Sequence, residues 1–112
     1  NTFPFFQKTI TKTELENTVV PIVTSSNIAG KMWKTPISML FIDGGHSFEA
    51  CHEDFLTWAC HIKPGGFLVI HDIFVDTEKG GQAPKRIYEI AINSGDYEEL
   101  EMTKTLGVLK RK

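Results

Sequence analysis

Hydrophobic positions along the chain fall into short runs separated by regular punctuation at Thr35-Pro36, Gly44-Gly45, Lys63-Pro64-Gly65-Gly66, Gly80-Gly81 and Ser94-Gly95. Three runs, 18–23, 37–42 and 67–71, are rich in Val, Ile, Leu or Phe with little alternation. That pattern predicts parallel strands buried on both faces. After Gly45 the period changes. Phe48, Cys51, Phe55, Trp58, Ala59 and Ile62 fall on one helical stripe, with Glu49, Glu53 and Asp54 on the polar side. Ser47 is a ready N-cap for this helix, and Pro64-Gly65 is its expected end. Strand, helix and strand across 37–71 make a right-handed crossover unit.

Weaker helices flank this unit. Ser26 can cap one carrying Ile28, Ala29, Met32 and Trp33, and Pro84 opens another carrying Ile87, Ile90 and Ala91, closed by Asn93-Ser94-Gly95. Phe6 and Ile10, four apart, suggest a further helix near the N-terminus. Segments 97–102 and 106–110 read as an antiparallel hairpin joined by Thr103-Lys104-Thr105. The predicted class is α/β, a three-layer sandwich around a mostly parallel sheet with a C-terminal antiparallel hairpin.

Composition narrows the picture. The 112 residues, 41% hydrophobic and 23% charged, suit one soluble globular domain spanning the whole chain. The formal net charge is −2, and basic residues are scattered apart from Lys110-Arg111-Lys112, so nucleic-acid binding has no electrostatic footprint. The apolar runs are far too short to span a bilayer, and the first residues lack the pattern of a secretory signal. Cys51 and Cys60, on one predicted helix, lie roughly 13 Å apart and are expected to be free thiols, consistent with a cytoplasmic location.

In open parallel sheets ligands bind beyond the carboxyl ends of the strands, and two such positions hold acids, Asp43 and Asp72. Neighbouring strands would open both carboxylates onto one cleft. Gly44-Gly45 lets the chain turn sharply and lets a ligand approach the backbone, and His46 then projects near the N-terminus of the long helix. Asp43 and Asp72 could hold a hard divalent cation, while His46 and His71 flank the cleft as acid or base candidates. His52 and His61 read as surface or packing residues. Glu49 and His52 have the Glu-x-x-His spacing of di-iron bundles, but the matching carboxylates are absent. No Gly-x-Ser-x-Gly elbow, phosphate-cradling Gly-rich loop or Cys-x-x-Cys pair occurs.

The run Leu40-Phe41-Ile42-Asp43-Gly44-Gly45-His46-Ser47-Phe48-Glu49-Ala50, followed by Asp54, Trp58 and Ile62-Lys63-Pro64-Gly65-Gly66-Phe67-Leu68-Val69-Ile70-His71-Asp72, resembles class I S-adenosylmethionine-dependent methyltransferases of the macrocin O-methyltransferase type. Pro-Gly-Gly before a strand is common across that class, whereas Asp-Gly-Gly-His-Ser at this distance from it is far more specific. The resemblance implies S-adenosylmethionine as cofactor, with Ser25 and Ser26 near the adenine and Asp43 and Gly44 near both cofactor and acceptor. It also implies methyl transfer to a hydroxyl of a small molecule, with Asp43 and either His46 or His71 aligning and deprotonating it. Metal-dependent members bind magnesium through the acids that match Asp43 and Asp72. They often carry a second acid where this chain has Ile73.

The same resemblance makes 18–23 the family's third strand and 106–110 its last. No Gly-x-Gly occurs in the chain, so the loop that wraps the cofactor's methionine end and the family's first two strands are expected to lie outside it. Segment 18–23 would then lack its usual neighbours, leaving an apolar sheet edge exposed. Two functions follow: a methyltransferase whose isolated 112 residues are inactive, or a non-catalytic α/β module that forms a homo-oligomer, or part of a larger assembly, through that edge.

Overall fold

The strand–helix–strand unit is present in the computed structural model, which describes residues 2–43, 47–76 and 80–112. The order is α1 (Phe3–Lys12), α2 (Ser26–Met32), β1 (Ile37–Ile42), α3 (Phe48–Trp58), β2 (Ile62–Ile70), α4 (Ala83–Asn93), β3 (Tyr97–Glu99) and β4 (Gly107–Arg111), with a 3₁₀ turn, Ala59–His61, between α3 and β2. Sheet order is β1-β2-β4-β3. β1 and β2 are parallel, and β4 runs antiparallel to both β2 and β3, giving the expected hairpin.

Segment 18–23 does not join the sheet. Val20, Ile22 and Val23 are 75%, 54% and 76% exposed. Its composition favours a strand, but Pro21 removes a ladder donor from its middle, and among the described residues no neighbouring strand satisfies the rest. Without it, one strand pair is parallel and two are antiparallel, so the sheet is mixed rather than mostly parallel.

Burial on the central strands falls short of two buried faces, although Leu68, Val69 and Ile70 are buried in succession. On one face Ile42, Leu68, Ile70 and Leu109 join a core with Cys51, Ala59, Ile87 and Ala91 from α3, the turn after it and α4. Removing each large aliphatic side chain from water contributes about 1.5–3 kcal/mol. On the other face Met39, Phe41 and Phe67 remain 61%, 50% and 37% exposed. The three-layer arrangement is therefore filled on one side of β1 and β2, and open at these three residues on the other.

Two local boundaries differ from expectation. α3 ends at Trp58, and Lys63-Pro64-Gly65-Gly66 lies inside β2 rather than after the helix. Ile37 pairs with Ile62 and Met39 with Phe67, so the extra residues of β2 bulge out. Gly65, at φ 83°, turns the bulge, and a Cβ on Gly66 would stand 2.9 Å from the Lys63 carbonyl oxygen and 3.0 Å from that of Ser38. At α2, Ser25 and not Ser26 occupies the N-cap position, with extended backbone and no side-chain cap. Ser47 caps α3 as expected, its hydroxyl accepting from the Ala50 N–H at 3.1 Å. Among the described residues no helix is long and apolar enough to cross a membrane.

Candidate functional site

The carboxyl ends of β1 and β2 lie side by side because Ile42 pairs with Ile70, and the ladder continues one step as the His71 N–H donates to the Ile42 carbonyl at 3.2 Å. Asp43 and His71 leave the sheet at this point. Asp72 follows with φ 63°, a left-handed conformation that Asp adopts more readily than most side chains. The chain is then pinned by the Ile73 N–H donating to the Thr105 carbonyl at 2.9 Å, with the Ile73 side chain buried in the core.

That turn brings three side chains together. His71 Nδ1 lies 2.9 Å from Asp43 Oδ1 and 3.3 Å from Asp72 Oδ1. One ligand atom from each of the three falls within 4.8 Å of the others. All three side chains are close to half exposed. Nδ1 must carry a hydrogen to serve a carboxylate in this way, which leaves Nε2 with the free lone pair. Asp43, His71 and Asp72 thus share one crevice, as the strand positions required. His46 and Gly44, the other residues expected there, lie outside the described residues.

Beside the crevice runs an open groove of about 380 Å³ lined by Ser26, Leu40, Phe41, Ile42, Asp43, Asp54 and Trp58. Ser26 therefore faces the same space as Asp43, while Ser25, at the N-cap position of α2, is not part of that lining. Trp58 and Asp54 were legible as stripe and polar-side residues of α3 and as part of the motif that carries the resemblance, with no site role assigned to either. The available signal was the one indole in an otherwise apolar stripe, since its N–H needs a partner when buried. Here that N–H reaches Ser26 at 2.9 Å. His52 stacks on Phe48 and His61 contacts the Gly30 carbonyl at 2.8 Å, so both are packing residues.

The residues suit the groups the sequence implied. An apolar floor of Leu40, Phe41 and Ile42, an indole wall, a hydroxyl and two carboxylates fit a flat heteroaromatic ring with polar edges. Two carboxylates and an imidazole whose ligand atoms lie within 4.8 Å of one another fit a divalent cation.

With this geometry in hand, comparison with known proteins assigns the class. The family described as "Methyltransferase domain" matches residues 2–73, which run from α1 through β1, α3 and β2 to just past Asp72. The chain belongs to that family. It is also similar to a solved structure described as a putative caffeoyl-CoA O-methyltransferase from Staphylococcus aureus, with a TM-score of 0.76 and 14% sequence identity over 98% of this chain. At that identity the likeness is one of fold. The chain spans 59% of the length of that relative.

Proposed function

We propose that the chain serves S-adenosylmethionine-dependent methyl transfer to a hydroxyl of a small-molecule acceptor, and that the crevice of Asp43, His71 and Asp72 is the reacting end of the site. The observation that carries this reading is the 2.9 Å contact between Asp43 and His71 at the carboxyl ends of adjacent parallel strands, in a member of the methyltransferase-domain family. The cofactor supplies an activated methyl on a sulfonium. Transfer of that methyl to an acceptor oxygen would exchange a C–S bond for a C–O bond, and the oxygen's proton would have to leave. With Nδ1–H held by Asp43, His71 can take that proton on Nε2, and Asp43 stabilises the imidazolium that results. Asp43 and Asp72 would hold Mg²⁺ in a metal-assisted variant, where its charge would lower the pKa of the hydroxyl. Ser26 and Trp58 border the groove that suits the adenine. The macrocin-type subfamily remains part of this reading, resting on the Asp43–Ser47 motif.

The absence of any Gly-x-Gly and the 59% span of the similar structure support reading the isolated chain as inactive. Isothermal titration of the 112-residue chain with S-adenosylmethionine should give weak or no heat. In a protein that carries this segment within a complete domain, labelled methyl should pass to a hydroxyl acceptor, and Asp43→Asn should lower the rate by on the order of 10²-fold or more. Full transfer by the Asn variant would remove Asp43 from the mechanism and with it this reading of the crevice.

A second reading has its own observation. Among the described residues the outer edge of β1 is unpaired, and Met39 and Phe41 of that strand are exposed, which supports self-association of a non-catalytic module.

A further inference from the structure

Asp43 and Asp72 project from the ends of two different strands, yet one nitrogen, His71 Nδ1, is the near neighbour of both carboxylates. In the absence of a cation a single N–H faces two carboxylate oxygens, at 2.9 and 3.3 Å. A cation in that position would face three donors at once, because the ligand atoms of all three side chains lie within 4.8 Å. Ile73, the next side chain, is buried in the core and offers no donor. Among the described residues, the donor that stands with the two carboxylates in this crevice is therefore a nitrogen.

We propose that His71 Nδ1 is the third protein ligand of a divalent cation held by Asp43 and Asp72, and that this nitrogen makes the crevice prefer a first-row transition cation to Mg²⁺. The inference rests on the reading that Asp43 and Asp72 form a cation site, and it names the donor set and the class of ion. Mg²⁺ takes oxygen ligands and gives up water reluctantly, whereas imidazole nitrogen suits the transition series. Binding at Nδ1 requires the single hydrogen of the neutral ring to move to Nε2, with no net proton released. In the loaded state His71 is a ligand and not a base. Its two roles are thus alternatives selected by the presence of the ion.

The test uses the purified chain with MnCl₂ or MgCl₂ as the probes, read by calorimetry and by the electron spin-echo modulation that a directly coordinated nitrogen imposes on bound Mn²⁺. The wild-type chain should bind Mn²⁺ about tenfold or more tighter than Mg²⁺ and show the nitrogen modulation. His71→Ala should lose the modulation and weaken Mn²⁺ by on the order of tenfold or more, a loss larger than any change in Mg²⁺. His71→Asn, which keeps a polar side chain of similar reach but offers an amide oxygen, should lose the modulation and narrow the Mn²⁺ preference. Modulation that is absent from the wild type, or that survives in His71→Ala with His46 still present, overturns the inference. Binding that requires Asp43 but is indifferent to His71 also overturns it and leaves the two-carboxylate site standing. No binding of either ion removes both the cation site and the inference, while methyl transfer by a cation-free base is untouched.

Discussion

Trp58 donates its indole N–H at 2.9 Å to both the carbonyl oxygen and the hydroxyl of Ser26, tying the last turn of α3 to the first residue of α2. The same indole packs at 5.3 Å and 51° on Trp33, just beyond the other end of α2. One side chain therefore fixes both ends of a seven-residue helix that is too short to hold itself together. Trp58→Phe keeps most of the ring contact and removes the donor, so it should lower unfolding stability by about 0.5–1.5 kcal/mol. Trp58→Ala removes both and should cost about 3–5 kcal/mol if the ring behaves as a core residue, less to the extent that it is exposed. Urea titration of the two variants separates the hydrogen bond from the packing.

Gly107 opens β4 opposite Ile70, under the segment that carries Asp72 and Ile73. A Cβ placed there would lie 2.5 Å from Ile73 Cδ1 and 2.7 Å from the Tyr88 ring. Both neighbours are core residues with little room to give way. Gly107→Ala should therefore destabilise by about 1–3 kcal/mol, the usual cost of overpacking. Because Ile73 directly follows Asp72, the strain should also move the crevice. Chemical shifts of the His71 ring should change in Gly107→Ala, and they should stay put in Gly81→Ala, where an added Cβ meets nothing within 4 Å.

What could be read from the chain was what local pattern encodes. Ile42, Leu68 and Ile70 declare a buried strand pair, the stripe from Cys51 to Ala59 declares the helix between them, and Ser47 marks where that helix starts. The pairing of 18–23 could not be read, because apolar composition specifies the wish for a partner and not its presence. Lys63-Pro64-Gly65-Gly66 misled for a related reason: the same residues that stop a helix also build a bulge, and only the register of Ile37 and Met39 against β2 decides between them. Strand alternation would send His71 and Asp72 to opposite faces. The left-handed φ of Asp72 breaks the alternation, and that conformation is not dictated by residue type outside glycine.

The Tyr88 hydroxyl donates to Glu99 Oε2 at 2.9 Å, bridging α4 and β3. Burial, then the hydrogen bond and the negative charge of Glu99, push its pKa up to about 12 from 10.0. An unfolded chain loses this proton at lower pH than the folded one, so the stabilisation is fully present below pH 10 and is lost as pH rises toward 12. Burial raises the Tyr97 pKa too, and its contribution has the same sign. Thermal stability should fall with pH across this alkaline window, and Tyr88→Phe should flatten the slope while leaving that of Tyr97. A variant slope equal to the wild type's would remove Tyr88 from the alkaline transition.

An unpaired strand is a template for another, and soluble proteins ordinarily blunt such an edge with charge, proline or a bulge on the edge strand itself. β1 has none of these: Ile37–Ile42 reads Ile-Ser-Met-Leu-Phe-Ile, and the bulged residues belong to β2. Met39 stands exposed on the open face beside Phe67, its partner in register. If this edge drives self-association, the sedimentation coefficient of the 112-residue chain should rise with concentration, and Met39→Lys should abolish the rise. The substitution replaces an exposed side chain away from the Asp43 crevice, so it should change stability by no more than about 0.5 kcal/mol. A wild-type chain that stays monomeric at every concentration would argue against an edge-paired module. A rise that persists in Met39→Lys would move the contact elsewhere, with exposed Val20 and Val23 the next surface to substitute.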